Sequence, residues 1–543
     1  MAKQLPDVAI IGSGFAGSIL ARALNRSGFR VSLIEKARHP RFALGESSTP
    51  LAALSLERLA RRYDLPDLAA LAAWGRWKQQ LPRLGCGLKR GFTFYHHVLN
   101  QPFENTARNQ RRLLVAASPD DSISDCHWLR EDVDHYLVDR ALEEGVEYFD
   151  RVVLTQVERT ASGRWEILGS RSGEPFELTP SVIVDGTGRS GFMARQLDIA
   201  NRTDELPTDT SLVFGHFDGV KPWDSVVESA AGGSKDRPYE DERAAVHHLL
   251  EEGWLYSLPF DDGRVSAGVS IRRDWMERLG IDAETEPERA WSLVLGRYPS
   301  LQSQFDGASP LMPLRFVDRV QHRLERPCGE GWVALPHTYA FVDPLFSTGI
   351  AWSLLAVERL ALLMEECEPS AGFRTVSSEV DFNPYGALLQ KEADQIARLI
   401  EGAFLAMDHF SLFAAQSYLY FSTVSFQELQ QRLQVGGANS ESSAWQGFLG
   451  AGDDDIERLF VESNSRLKAL KGVEEATDTT EAESFERWIR EKIGCRNVIG
   501  LSDPNRDNLY PVDIDLLISR AELLGLTRDE MQAKVHLLRG GGF

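Results

Sequence analysis

The chain has 543 residues, 43% of them hydrophobic, which is enough for a large buried core and too long for one compact domain. Its net charge of -21 repels nucleic acid and anionic membrane surfaces at long range, leaving small molecules and proteins as the expected partners. Five scattered cysteines, Cys86, Cys126, Cys328, Cys367 and Cys495, form no C-x-x-C pair, so neither a disulfide framework nor a zinc site is expected and the compartment reads as reducing.

The N-terminal MAKQLPD passes directly into a strand-like run. The longest apolar stretch, GIAWSLLAVERLALLM, is interrupted by Glu358 and Arg359 well short of a membrane span, so the reading is a cytoplasmic protein with no membrane association. DVAIIGSGFAGSILARALNRSGFRVSLIEK combines an apolar β-branched run, a glycine turn and a helical pattern with Ile19, Leu20, Ala23 and Leu24 on one face. Gly12 permits the tight turn, Gly14 lets backbone approach a pyrophosphate, and Gly17 lets the helix pack on its strand. The second apolar run ends in Glu35, placed where a carboxylate holds a ribose hydroxyl, and the whole predicts a dinucleotide site without choosing NAD or FAD.

RFALGESSTP follows as a loop, with Thr49 as a candidate cap and Pro50 at the first position of an amphipathic helix. LGCGLKRGFTFYHH, residues 84 to 97, reads as strand, with the cation Lys89 set among Gly85, Gly87 and Gly91 ahead of Phe92, Phe94 and Tyr95. On its own a lysine there covers apolar surface with its stem and reaches water with its head. VIVDGTGRSG is a further buried strand closed by Asp185, Gly186 and Gly188. Between residues 205 and 320 the runs TSLVFGHF, WLYSLPF and RVSAGVSI read as strands separated by an acidic helical stretch. FVDPLFSTGIAWS ends a short strand in a turn and opens a helix at Gly349, whose N–H groups suit an anion or a flavin ring. Beyond residue 370 the pattern is helical, GGANSESSAWQG reads as a loop, and the acidic region from Asp453 reads as solvated loop and helix surface.

The strand with DGxG and the late DPxxSxG turn resemble the glutathione-reductase-like FAD fold. RFALGESSTP, CGLKRGFTF, GWLYSLPF and FVDPLFSTGI in this order resemble the flavin-dependent halogenases, most of all the phenolic-substrate branch that includes phloroglucinol halogenases. The resemblance spans residue 8 to about 355. It implies an α/β protein: a glutathione-reductase-like FAD-binding domain from residues 1–75, 105–204 and 321–370, an inserted β-sheet substrate domain from 76–104 and 205–320, and a C-terminal helical region, 371–543, capping the substrate pocket.

In that family reduced FAD, oxygen and chloride or bromide give hypohalous acid, which reaches a lysine beside an electron-rich aromatic substrate. The resemblance makes Lys89 that lysine, acting by hydrogen bonding or as a haloamine. It assigns FAD contacts to Gly12, Gly14, Phe15, Ala16, Gly17, Glu35, Arg41, Ser47, Arg130, Asp185, Asp343, Gly349 and Ile350, and the halide to Ser347, Thr348 and Gly349. Arg41 and Arg130 read equally well as a surface ion pair or a helix-end charge. Phe404, Phe410, Phe413 and Tyr418 are candidates for the substrate pocket wall.

Three departures carry information. Tryptophan halogenases place a glutamate before the Ser-Thr-Gly turn where this chain has Phe346, which favours a phenol over free tryptophan. The family's W-x-W-x-I-P is here Trp254, Tyr256, Leu258 and Pro259, and Pro336 and His337 stand where many flavoproteins carry Gly-Asp. With no second glycine fingerprint for NAD(P)H, a separate flavin reductase is the expected partner, and the substrate arrives free or tethered to a carrier protein. The alternatives are an aromatic hydroxylase that uses NAD(P)H and a flavin-binding regulatory protein in which Lys89 is structural.

Overall fold

The computed structural model describes residues 5–106, 108–227, 237–366, 380–434, 443–470 and 478–538, together with the short strands 369–370 and 373–374. The first apolar run is strand β1 (Val8–Ile11), followed by helix α1 (Phe15–Arg26) and strand β2 (Val31–Ile34). Both strands are buried at every position because they lie inside a sheet covered on two faces, the setting in which strands read as unbroken apolar runs. The sheet order is Cys328–Gly329, Trp332–Ala334, Val182–Asp185, β1, β2, Glu147–Phe149, parallel except for the first pair. A three-stranded antiparallel sheet, Val152–Arg159, Trp165–Arg171 and Glu174–Leu178, is inserted before Val182. This is the arrangement expected of the glutathione-reductase-like fold. Gly12 has φ +107, and a Cβ there would lie 2.3 Å from the Gly186 carbonyl oxygen, so the glycine turns after β1 and after Val182–Asp185 nest directly on each other.

The chain continues through helix α2 (Pro50–Tyr63) and strands β3 (Cys86–Lys89), β4 (Gly91–His96), β5 (Arg112–Ala116) and β6 (Asp125–Trp128). A nine-stranded sheet runs Ser309–Pro310, Thr210–Asp218, Val265–Arg272, Gly253–Pro259, Ala245–Leu250, β4, β5, Leu509–Tyr510, with Arg315–Val317 also on Thr210–Asp218. Three expected boundaries need correction. β5, assigned to the 105–204 segment, pairs antiparallel with β4 inside this sheet. β3, assigned to the sheet segment 76–104, instead forms a two-stranded ribbon with β6. The C-terminal region, expected to be helical, supplies Leu509–Tyr510 as a parallel partner of β5. Each departure comes from long-range pairing, which local hydrophobic pattern does not encode.

The helices Asn383–Ala406, Phe410–Arg432, Asp454–Leu470 and Asp478–Ile493 form the C-terminal layer. The acidic stretch read as loop and helix surface is thus largely helix, and its part 471–477, like residues 436–442 of the GGANSESSAWQG loop, lies outside the described residues. Thr49 does occupy the N-cap of α2, yet its side chain makes no capping bond. Two buried ion pairs fix the long helix Thr348–Glu365: Arg58 of α2 to Glu358 at 2.6 Å and Arg359 to Glu392 at 2.7 Å. Removing one partner of such a pair leaves a charge buried without compensation. Among the described residues no helix is long and apolar enough to cross a membrane.

Candidate functional site

The glycine turn presents an anion site. Gly14 caps α1 with no side-chain bond and no acid lies in the first turn, so the N–H groups of Phe15, Ala16 and Gly17 have no intrahelical acceptor. A Cβ on Gly14 would find guanidinium nitrogens of Arg130 and Arg41 at 3.8 and 4.0 Å and the Asp134 carboxylate, the partner of Arg130, at 3.8 Å, so two cations and one anion border the backbone donors. Arg130 lies with its guanidinium 4.7 Å from the Phe15 ring centroid, pairs with Asp134 and donates to the carbonyls of Leu44 and Gly45 at 2.9 and 3.0 Å. It therefore ties the helix start to the loop before α2 rather than merely charging a helix end. These donors fit a dinucleotide pyrophosphate.

Glu35 accepts from Ser13 N and Oγ, Ala37 N and Arg41. Burial works against its charge, but Arg41 and those donors outweigh burial and hold the carboxyl below its usual range. Asp185, expected as a cofactor contact, is tied into its own turn. Its Oδ1 takes Thr187 N and Oγ1, its Oδ2 takes Met193 N, and it is fully buried, so both oxygens are used to build the DGTG turn.

A cavity of about 450 Å³ opens beyond the turn, walled by Leu44–Ser47, by Trp254, Tyr256 and Leu258, and by residues 341–344 and 347–350. Ser47 Oγ, Glu46 Oε2 and His337 Nε2 are buried there without hydrogen-bond partners among the described residues. Ser347 is the N-cap of Thr348–Glu365 in the left-handed region, φ +52, and makes no side-chain capping bond. The N–H groups of Thr348, Gly349 and Ile350 thus have no intrahelical acceptor, and all three residues line the cavity. Asp343 is buried, accepts from Leu345 N at 3.0 Å, and is pushed up to about 7 by burial. The His337 ring lies where a Cβ on Gly349 would meet it at 2.9 Å, and burial drives its pKa down to about 3, so it is a neutral imidazole. Sequence reasoning gave His337 no catalytic role and passed over Glu46, whose Oε1 lies 2.7 Å from His216 Nε2.

A second cavity, about 150 Å³ and largely apolar, lies under the C-terminal helices. Phe92, Val115, Tyr420, Phe421 and Val424 form its apolar wall, with Thr49 and Asp125 beside them. Behind the wall, Phe346 is buried among Phe94, Phe413, Tyr420 and Phe421, and its carbonyl accepts from the Tyr420 hydroxyl at 2.9 Å. The candidate wall residues Phe404, Phe410, Phe413 and Tyr418 do not reach this space: Phe413 packs on Phe94, and Tyr418 bonds Asn508 and Tyr510. Tyr95 points to the opposite sheet face, where it bonds Asp241, as strand alternation requires.

Lys89 ends β3 fully buried. Its Nζ donates to the Ser48 carbonyl at 2.5 Å and lies 4.0 Å from the Phe92 ring centroid. Across the ribbon its register partner is Asp125. The neighbours divide between the cavities: Ser47 and His247 belong to the larger, Thr49, Phe92 and Asp125 to the smaller. Burial pulls the Lys89 ammonium down to about 7 against the charge of Asp125, and pushes Asp125 up to about 7 against the charge of Lys89. Gly87 brings β3 onto the large sheet: a Cβ there would lie 2.1 Å from the Pro259 carbonyl oxygen.

A family model described as tryptophan halogenase matches residues 125–409, and one described as FAD dependent oxidoreductase matches residues 7–202. The monodechloroaminopyrrolnitrin halogenase PrnC of Pseudomonas fluorescens is 26% identical over 493 residues, 88% of this chain and 83% of that protein. The tetracycline 7-halogenase of Kitasatospora aureofaciens is 26% identical over 535 residues, 95% of this chain and 92% of that protein. A 1H-pyrrole-2-carbonyl-[peptidyl-carrier protein] brominase of Pseudoalteromonas luteoviolacea is 23% identical over 348 residues, 64% of this chain and 74% of that protein. Among solved structures, halogenase PltM in complex with phloroglucinol and FAD superposes with a TM-score of 0.78 at 23% identity, covering 93% of this chain and 99% of that one.

Proposed function

From the premise that the chain belongs to the tryptophan halogenase family and is a flavin-dependent halogenase using FAD, halide and oxygen, we propose that it halogenates a phenol through Lys89. The observation that carries this reading is the position of Lys89: a buried ammonium with one hydrogen bond, whose neighbours form the walls of two cavities of different character. When bound, reduced FAD with oxygen and halide supplies hypohalous acid. The Gly12–Gly17 turn, Arg41 and Arg130 hold the cofactor's pyrophosphate, and the backbone of Thr348 and Gly349 holds the halide. Lys89 donates a hydrogen bond to hypohalous acid and withdraws electron density from its oxygen, which makes the halogen electrophilic.

The substrate ring occupies the smaller cavity. An apolar cavity of about 150 Å³ is large enough for benzene, and Phe92, Tyr420 and Phe421 supply the flat faces that a small aromatic stacks against. Phe346, enclosed by aromatic rings, stands where tryptophan halogenases carry their glutamate, which supports a phenol that directs halogenation through its own hydroxyl. The substrate is a small aromatic, free or carried on a protein, and reduced FAD comes from a separate reductase, in keeping with the single glycine fingerprint.

The test supplies purified protein with FAD, a flavin reductase, NADH, bromide or chloride and a panel of resorcinols, and reads products by mass spectrometry. Halogenated resorcinols that need the protein and vanish in Lys89→Ala are the expected result. Lys89→Ala should still bind FAD and generate hypohalous acid, read with a soluble trap. Full halogenation by that variant would remove Lys89 from the reaction.

A further inference from the structure

Asp125 is a buried carboxyl with no structural task. It opens β6, is 4% exposed, and its Oδ2 has no hydrogen-bond partner among the described residues. Buried polar atoms almost always find partners, so an orphaned carboxylate oxygen at a cavity wall is evidence of a missing ligand. The cavity is the smaller one, where Phe92 and Tyr420 stand beside Asp125. Antiparallel register sets Asp125 opposite Lys89, close enough for each charge to act on the other but without a direct ion pair among the described residues. Asp125 itself lines the smaller cavity, so a group bound there meets its free oxygen. Other charges around the cavity are paired with each other: Arg432 of the helix Phe410–Arg432 pairs with Glu428 and Glu57, Arg76 pairs with Glu57, and Glu428 and Arg432 act on Asp125 in opposite directions. The nearby imidazoles of His127 and His247 are kept neutral by burial, so Lys89 is the cation that acts most strongly on Asp125.

We propose that Asp125 is the catalytic base that takes the proton of the substrate's phenolic hydroxyl during halogen transfer. This inference rests on the reading of Lys89 as the residue that activates hypohalous acid. As the ring carbon bonds to halogen, the oxygen–halogen bond breaks and its electron pair leaves as hydroxide, which takes a proton from the Lys89 ammonium and becomes water. The hydroxyl proton passes to the Asp125 carboxylate, leaving a halogenated dienone. The ring C–H proton then moves to the neutral Lys89 amine, and the Asp125 proton returns to the oxygen. Arene and hypohalous acid have become aryl halide and water, and both side chains are restored.

The test compares wild type with the isosteric Asp125→Asn on resorcinol and on 4-fluororesorcinol, whose hydroxyls are more acidic, at pH 7 with FAD, reductase and bromide. A positioned base contributes about 10²–10⁴-fold, and its contribution falls as the proton becomes easier to remove. Asp125→Asn should lose about that factor in kcat/KM on resorcinol and at least tenfold less on the fluorinated compound. Asp125→Glu, which keeps a carboxyl, should recover part of the rate, while FAD affinity and the thermal midpoint confirm that each variant is folded. An equal loss on both phenols, or no loss, would overturn the role of Asp125. Failure of the wild type to halogenate resorcinol, or full activity in Lys89→Ala, would instead overturn the reading beneath it.

Discussion

Replacing Lys89 by methionine should make the protein more stable while abolishing halogenation. Methionine fills the lysine's volume without the charge. The ordinary lysine value of 10.5 falls to about 7 in the fold, and at about 1.4 kcal/mol per pH unit this difference is about 5 kcal/mol. The unfolded chain binds the extra proton between about pH 7 and 10.5, so this contribution to stability improves as pH rises through that window and is worst below it. At pH 6 the ammonium is charged in both states and the full penalty applies; at pH 9 about 2 kcal/mol of it remains. Loss of the cation also raises Asp125, which trims the gain further on the alkaline side. Equilibrium unfolding of apo wild type and Lys89→Met at the two pH values measures this directly. The variant should gain several kcal/mol at pH 6, and at least about 2 kcal/mol less at pH 9. No gain at pH 6, or the same gain at both, would refute the picture of an ammonium desolvated in the fold.

Two other substitutions probe the walls. Gly12→Ala must place a Cβ where the Gly186 carbonyl oxygen stands 2.3 Å away, and at a left-handed φ, so it should abolish FAD binding in a fluorescence titration and lower the thermal midpoint. Tyr420→Phe removes the donor to the buried Phe346 carbonyl at 2.9 Å and should lower stability by about 1–2 kcal/mol in denaturant titration, with FAD affinity unaltered.

The dinucleotide turn was legible because its signal is local: an apolar run, three glycines and a helix pattern within residues 7–36 suffice to build β1, α1 and β2. The helix entered at Thr348 was legible for the same reason, through a turn and an abrupt apolar periodicity. Asp125 was not. Nothing in DCHW marks its first residue until antiparallel register sets it across from Lys89, some 36 residues earlier in the chain. The residues that line the smaller cavity from the helix Phe410–Arg432, Tyr420 and Phe421, were not among the pocket candidates read from the sequence. Tyr418, Leu419, Tyr420 and Phe421 are consecutive and all buried, and a helix apolar all round offers no face from which to choose.

The same burial that makes Lys89 costly gives it a use. A surface lysine stays protonated at neutral pH and cannot take a proton from an arene, whereas an ammonium brought down to about 7 exchanges protons in both directions near neutrality. Its stabilising contacts are few: one carbonyl, one aromatic face, and a carboxylate across the ribbon that forms no ion pair with it among the described residues. A direct Lys89–Asp125 ion pair would satisfy both charges, raise the ammonium, lower the carboxyl and remove both from the neutral range. Without that pair each group stays in the neutral range, which is what the proposed roles of proton donor and proton acceptor require.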